Sequence, residues 1–374
     1  MSNRAPDKAQ SSLSVPFFWP VQLASSLAEQ GMQLLARNIK FAEEELRLHD
    51  GSIQPRLATA HSVRMKLRTL DLCDYSAPGA KGIPTLVNAP YAGHTSMIAD
   101  YHEGQSLMQT LKAGGVGPLF LTDWHSATPD MKDLEVDQYL GDFLACVDDL
   151  DGRVNLVGLC QGGWMAAMLA ARFPDKVASL VLAGSPIDTH AGNGPLVKMV
   201  KESPMSFYED LVASGGGLML GKYMLAGWKN MHPEQHYVQD QIDLYEHIDD
   251  PVWLSKTEAF DRWYENPLDL PGRWYLQVID QLFKRNLLAK GEYVALGRKL
   301  HLKDITCPLY LLAGESDDIT TAPQVFAAED LCGTVKDKIQ KHIVPGGHVG
   351  LFMGGRTLQE TWPGIAAWII QQAR

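Results

Sequence analysis

Residues 155–166 read NLVGLCQGGWMA. An apolar run, Val154 to Gly158, leads directly into Gly158-Leu159-Cys160-Gln161-Gly162, and a helical pattern follows from Gly163 to Arg172. A Gly-x-nucleophile-x-Gly turn carries weight only in this strand–turn–helix setting. In so tight a turn, side chains two residues to either side of the nucleophile would strike the strand or the helix, so glycine is required there. The turn is expected to lift the Cys160 sulfur off the sheet and aim a helix N-terminus at it, which favours a thiolate and, later, an oxyanion. The other cysteines sit far apart, and Cys146, Cys307 and Cys332 read as small buried hydrophobes rather than disulfide or zinc partners.

Outward from this turn, short apolar runs recur with helical stretches between them: Ile83 to Asn88, Leu119 to Thr122, Leu180 to Ala183, Leu309 to Ala313, and Ile339 to Val344 as the last. That rhythm predicts βαβ units and a mostly parallel sheet covered by helices on both faces. Before it, His61 to Asp71 alternates Val63, Met65, Leu67 and Thr69 with polar residues, as a half-exposed strand does. In such sheets the chemistry gathers at the carboxyl ends of the strands.

A cysteine at neutral pH is only a few per cent thiolate, so a base is expected. In the α/β-hydrolase fold the chain order is nucleophile, acid, histidine. The run Leu309 to Ala313 ends in Gly314-Glu315-Ser316-Asp317-Asp318-Ile319, which places an acid just beyond a buried strand; Asp317 is the first choice and Asp318 the second. After the last run comes Pro345-Gly346-Gly347-His348-Val349-Gly350, and of twelve histidines His348 has the context of a base reaching back to the nucleophile. The oxyanion hole should use the Gln161 N–H and a second N–H from Tyr91 or Ala92, in the turn after the Ile83 run. His94, Asp318 and Trp164 are further residues expected to face the site. The fold expected is therefore α/β-hydrolase, with a cysteine nucleophile, a histidine base and an aspartate.

The rhythm breaks between Pro186 and Leu300, a mostly helical stretch rich in Trp and Tyr with a hinge-like Gly215-Gly216-Gly217. Residues 186–300 are read as a helical cap inserted in a core of residues 61–185 and 301–374, with an aromatic cavity expected between the cap and Cys160. Residues 1–60 form an N-terminal extension whose Phe17 to Leu48 segment has helical spacing.

Composition bounds the rest. With 45% hydrophobic and 21% charged residues the chain reads as globular, no long uninterrupted apolar run suggests a membrane span, and the polar start lacks the order of a signal peptide, so a cytoplasmic protein is expected. A net charge of −11 argues against a nucleic-acid partner. No dinucleotide or Walker motif implies a cofactor, and no ligand spacing implies a metal.

These residues resemble the polyhydroxyalkanoate synthases and the cysteine-type intracellular polyhydroxybutyrate depolymerases over most of the chain from Ile83 to Trp368. Leu159-Cys160-Gln161-Gly162-Gly163, Pro174-Asp175-Lys176-Val177, Leu302 to Pro308 and Pro345 to Gly350 look like the synthases. Ala89 to His94, Thr122-Asp123-Trp124 and Gly184 to Asp188 look like the depolymerases. The resemblance implies that Cys160, Asp317 and His348 are catalytic, that the substrate is an ester or thioester of 3-hydroxyacyl units, and that the protein associates with polymer granules and with itself. Asp318 and Thr321-Ala322 stand where synthases carry histidine and Pro-Trp, so the first expectation is a depolymerase-like hydrolase working through an acyl-cysteine. The alternatives are a synthase using 3-hydroxyacyl-coenzyme A and a non-catalytic granule-binding protein. Cys160, Gln161 and Trp164 with Ala183 to Pro186 also resemble an uncharacterised synthase-like branch.

Overall fold

A computed structural model describes residues 32–34, 37–41, 54–231 and 240–372. Its centre is an eight-stranded sheet. The strands are β1 (Ser62–Lys66), β2 (Leu70–Asp74), β3 (Thr85–Asn88), β4 (Leu119–Trp124), β5 (Val154–Leu159), β6 (Val177–Ala183), β7 (Leu309–Gly314) and β8 (Ile339–Val344). Their spatial order is β1-β2-β4-β3-β5-β6-β7-β8, parallel from β4 to β8, with only β1 and β2 antiparallel to their neighbours. β5, β6 and β7 are buried along their whole length, which is why they appear in the sequence as mostly apolar runs, broken only by Asn155 and Ser179, rather than as alternations. β8 is an edge strand and mostly exposed. The fold is that of the α/β hydrolases, as expected.

The expected single strand from His61 to Asp71 is instead a hairpin. The chain turns after β1, where the Leu67 N–H donates to the Leu70 carbonyl (2.9 Å), and β2 returns fully inside the sheet. Alternation carries on through the turn residues Arg68 and Thr69, so periodicity alone did not mark the reversal.

Helices cover the sheet. Among them α1 (Leu107–Ala113) is capped by the Ser106 hydroxyl, which accepts from the Gln109 N–H, and α2 (Val136–Asp149) opens with a capping box between Glu135 and Gln138. The helix after β5, α3 (Gln161–Arg172), is buried from Gly162 to Ala171. Its glycines and alanines let it lie close against the strands.

Between β6 and β7 the chain forms α4 (Pro195–Glu202), α5 (Met205–Ser214), α6 (Gly221–Met231), α7 (Asp240–Glu246), α8 (Pro251–Tyr264) and α9 (Gly272–Gln277), which continues as a π-helical stretch, Val278–Lys284. The Gly215-Gly216-Gly217 hinge expected here is a tight turn. The Gly272 N–H donates to the Gly217 carbonyl (3.0 Å), and a Cβ on Gly272 would lie 2.3 Å from that oxygen. Two backbones meet without side chains between them, which fixes this point.

Most of the Phe17 to Leu48 segment lies outside the described residues; residues 32–34 and 37–41 are helical, and Phe41 packs on Leu244, Ile248 and Leu254. Among the described residues, no helix is long and apolar enough to cross a membrane, and no His/Cys/Asp/Glu group is placed to hold a metal.

Candidate active site

Cys160 sits between β5 and α3 at φ 50°, ψ −121°, a left-handed backbone that a non-glycine residue holds at a cost of about 1–3 kcal/mol. The surroundings enforce it. The Cys160 N–H donates to the Ala183 carbonyl and the Cys160 carbonyl accepts from the Gly163 N–H, both at 2.9 Å. A Cβ on Gly158 would lie 2.4 Å from the Gly163 Cα, one on Gly162 2.2 Å from the Asn88 carbonyl oxygen, and one on Gly163 1.8 Å from the Ser185 Oγ. The glycines thus perform the role their spacing predicts, and Gly163 adds a third close approach.

Two loops converge on the sulfur. β7 ends at Gly314, where a Cβ would be 2.8 Å from the Gly346 carbonyl oxygen, so the acid and histidine loops touch through glycine. Asp317 Oδ2 lies 2.7 Å from His348 Nδ1, while Oδ1 accepts from the N–H groups of Ile319 (3.0 Å) and Thr320 (2.8 Å). Asp318 does not take this position; it lines the cavity in front of the cysteine. Burial acts to lower the His348 pKa, but the negative charge available at Cys160 and the hydrogen bonds that His348 makes to Asp317 and Cys160 outweigh it and push it up to about 10. The imidazolium is therefore the favoured form of His348. By contrast Cys73, Cys146, Cys307 and Cys332 are each driven up to about 12 by burial, as inert structural thiols are.

In front of Cys160 and His348 lies a cavity of about 380 Å³. Pro90, Ala92 and Gln161 line its sheet side, while Trp228, Phe260, Trp263, Tyr264 and Phe283 from the β6–β7 segment form much of the other wall. Of the two oxyanion-loop residues, Ala92 lines this cavity and Tyr91 does not. The Tyr91 ring is fully buried, stacked on Tyr139 (4.8 Å) and edge-on to Trp274 (5.1 Å). Its hydroxyl accepts from Tyr139 Oη (2.9 Å), and Trp124 Nε1 donates to the Ala89 carbonyl (3.0 Å). This aromatic clamp holds the turn that presents Ala92. Trp124 and Tyr139 were not singled out as site residues in the sequence; Trp124 lay in a quoted motif, Tyr139 carried no signal.

His94 lines the cavity, packed against Trp263 (4.6 Å) and stacked on Tyr264 (5.3 Å), with Nε2 3.0 Å from the Tyr264 carbonyl oxygen. Burial lowers its pKa to about 4, so it is neutral at physiological pH. Trp164, also expected to face the site, does not line this cavity. It is buried one turn along α3 against Trp274 (6.1 Å), because the helix turns its indole toward α9.

A family model described as "Protein of unknown function (DUF3141)" matches residues 64–367. The chain belongs to the DUF3141 family. This DUF3141 protein is also similar to the poly(3-hydroxyalkanoate) polymerase subunit PhaC of Allochromatium vinosum, at 28% identity over 333 residues covering 86% of this chain and 89% of the relative. The subunit of the same name from Synechocystis is 27% identical over 296 residues, covering 77% of this chain and 76% of its own. Among solved structures, a carboxylesterase study from Nitrososphaera gargenis matches with TM-score 0.50 and 13% identity over 82% of this chain and 98% of that one, which speaks to the fold alone. With the fold, these likenesses mark the DUF3141 chain as an enzyme.

Proposed function

We propose that this protein transfers acyl groups from esters or thioesters of hydroxyacyl units through a thioester on Cys160. The observation that carries the reading is that the strained Cys160 and His348 line one cavity, with His348 Nδ1 held at 2.7 Å by Asp317. In this reading the Cys160 proton already rests on His348 as a thiolate–imidazolium pair, and the sulfur attacks the acyl carbonyl. The oxyanion takes hydrogen bonds from the N–H groups of Gln161 and Ala92, each such donor worth about 100- to 1,000-fold in rate. The imidazolium then protonates the departing alcohol or thiol, leaving the acyl-cysteine. Asp317 keeps one imidazole tautomer and offsets the imidazolium charge. Residues 186–300 act as the cap that closes the cavity over Cys160.

The acceptor completes the function. Hydrolysis by water is the first reading, supported by the carboxylate of Asp318 on the cavity wall, an acceptor able to orient a water. Transfer to the hydroxyl of a growing polyester is the second, supported by the names of the polymerase relatives and by their coverage of most of this chain. A granule surface would be the partner in either case.

The deciding experiment incubates pure protein with 3-hydroxybutyryl-coenzyme A, with Cys160→Ala as control, following thiol release and sizing the acyl product. Free hydroxy acid lost in the variant supports hydrolysis; growing insoluble polymer supports the second reading. Thiol release unchanged in Cys160→Ala would overturn both.

A further inference from the structure

The turn that presents Ala92 is held at its ends by the sheet and in its middle by the β6–β7 segment. Trp124 on β4 secures the ends: its Nε1 donates to the Ala89 carbonyl (3.0 Å) and its backbone N–H to the Ser96 hydroxyl (3.1 Å). Between those ends the Gly93 carbonyl accepts from the Leu268 N–H (2.7 Å), and the Thr95 carbonyl accepts from Trp263 Nε1 (3.0 Å). His94 Nε2 donates to the Tyr264 carbonyl (3.0 Å). All three partners fall within residues 263–268, at the end of α8 and just beyond it. From α6, Met224 backs the same turn: Gly93 has φ +97°, and a Cβ there would stand 2.9 Å from Met224 Cε.

The three bonds are not equivalent. The His94 contact passes through a side chain with torsions of its own. Leu268 and Trp263 instead grip the backbone of the turn on either side of His94, the first of them one residue from Ala92. Without the Trp263 N–H, the stretch from Gly93 to Thr95 keeps one backbone bond to this segment instead of two. Trp263 is buried, and it also lines the cavity in front of Cys160. One side chain therefore belongs both to the wall that an acyl group meets and to the grip on the turn that meets its oxygen.

We infer that residues 263–268 are the part of the cap that aligns the oxyanion hole, with Trp263 as the positioning residue whose indole holds the backbone that places the Ala92 N–H. This rests on the acyl-cysteine reading, which gives that N–H its role. Trp263 acts through the turn and not on the reacting atoms. A donor stabilises the oxyanion only where the charge develops, so a displaced turn lowers the rate and leaves ground-state binding nearly intact.

Kinetics of the full chain test it, with p-nitrophenyl butanoate as acyl donor and butyl trifluoromethyl ketone as a mimic of the oxyanion. The Cys160 sulfur adds to the ketone carbon, the π pair moves to oxygen, and that charged oxygen stays in the hole because no group leaves. Trp263→Phe keeps a ring at the wall and loses the N–H. Its kcat and kcat/KM should fall together by about tenfold or more, as a misplacement of about 1 Å can cost about 100-fold. Affinity for the ketone should fall by the same factor. Met224→Ala, outside the cavity, loosens the turn from its other side and should lower kcat by about threefold or more; it serves if melts show that Trp263→Phe does not fold. Trp253→Phe, at the start of α8 and outside the cavity, should match the wild type throughout. Wild-type kcat in folded Trp263→Phe, a rise in KM alone, or a fall in kcat with ketone affinity unchanged would overturn the inference. So would wild-type kcat in Met224→Ala where Trp263→Phe is unfolded. Nitrophenol release that persists in Cys160→Ala would instead overturn the acyl-cysteine reading, and this inference with it.

Discussion

His348 and Asp317 are joined by a 2.7 Å contact in which the carboxylate uses only one oxygen, the other being occupied by the backbone N–H groups of Ile319 and Thr320. The acid is thus oriented before it meets the imidazole, and its rotation is fixed by its own loop.

Asp317→Asn keeps the acceptor that binds the two N–H groups but offers the imidazole no charge. Its turnover should fall by up to about 10⁴-fold, the scale seen when such a carboxylate is neutralised elsewhere. Asp318→Asn should cost far less in acylation. Steady-state kinetics of both variants checks this, and a larger loss at Asp318 would exchange their roles.

The His348 pKa is raised, to about 10, in spite of burial and because of the charge at Cys160 with the Asp317 and Cys160 hydrogen bonds. A raised pKa stabilises the fold fully below the ordinary histidine value and is lost as pH rises through the folded one. The His348 ring should therefore stay protonated through neutrality in ¹⁵N NMR and release its proton on the alkaline side. In Cys160→Ala, with the negative partner gone and burial still acting, the proton should leave at lower pH. An unchanged titration in that variant would show that Cys160 and His348 are not coupled.

Gly184 has φ +55°, and a Cβ there would stand 2.9 Å from Leu351 Cδ1 and 3.2 Å from His348 Cε1. Gly184→Ala should displace the imidazole and cost backbone strain of about 1–3 kcal/mol. We expect at least about a tenfold loss of kcat with a lower Tm. Thermal melts beside kinetics separate the two effects.

At the elbow, Gly162→Ala puts a methyl 2.2 Å from the Asn88 carbonyl oxygen and should unfold or strongly destabilise the protein. Gly364→Ala, with open space around it in the last helix, should instead stabilise by roughly 0.4–1 kcal/mol. Equal melting of the two would contradict the crowding at the elbow.

His94 is neutral, stacked, and bonded to a backbone carbonyl. His94→Phe keeps a ring packed against Trp263 and Tyr264 and should change turnover by less than about tenfold, with no new inflection near pH 6. A larger loss would make the imidazole itself a chemical participant.

The sheet could be read in advance because β5, β6 and β7 are buried on both faces, and burial of that kind leaves continuous Val and Leu runs. Cys160 and Asp317 could be singled out because each follows one of those runs in a glycine-bounded turn, whereas His348 follows the exposed edge strand β8 and is marked only by its glycine-flanked loop and its place in the chain order. The clamp of Tyr91, Trp124, Tyr139 and Trp274 could not, since its members come from four separate segments and nothing local in their spacing reveals the contact. Trp164 was misplaced for a related reason: a residue three positions into a helix faces either way until the partner helix is known.

The Gly158, Gly162 and Gly163 contacts have a consequence for how this scaffold can change. Each position around the nucleophile already touches backbone or a buried hydroxyl at a distance no side chain survives, so the sheet side of the chamber has almost no mutational freedom. The helical side, from Leu196 to Phe283, meets the same chamber through long, flexible or aromatic side chains that tolerate exchange. Divergence toward a new acyl group is thereby channelled to one wall, and a library built to retarget the protein has about half the chamber to work with.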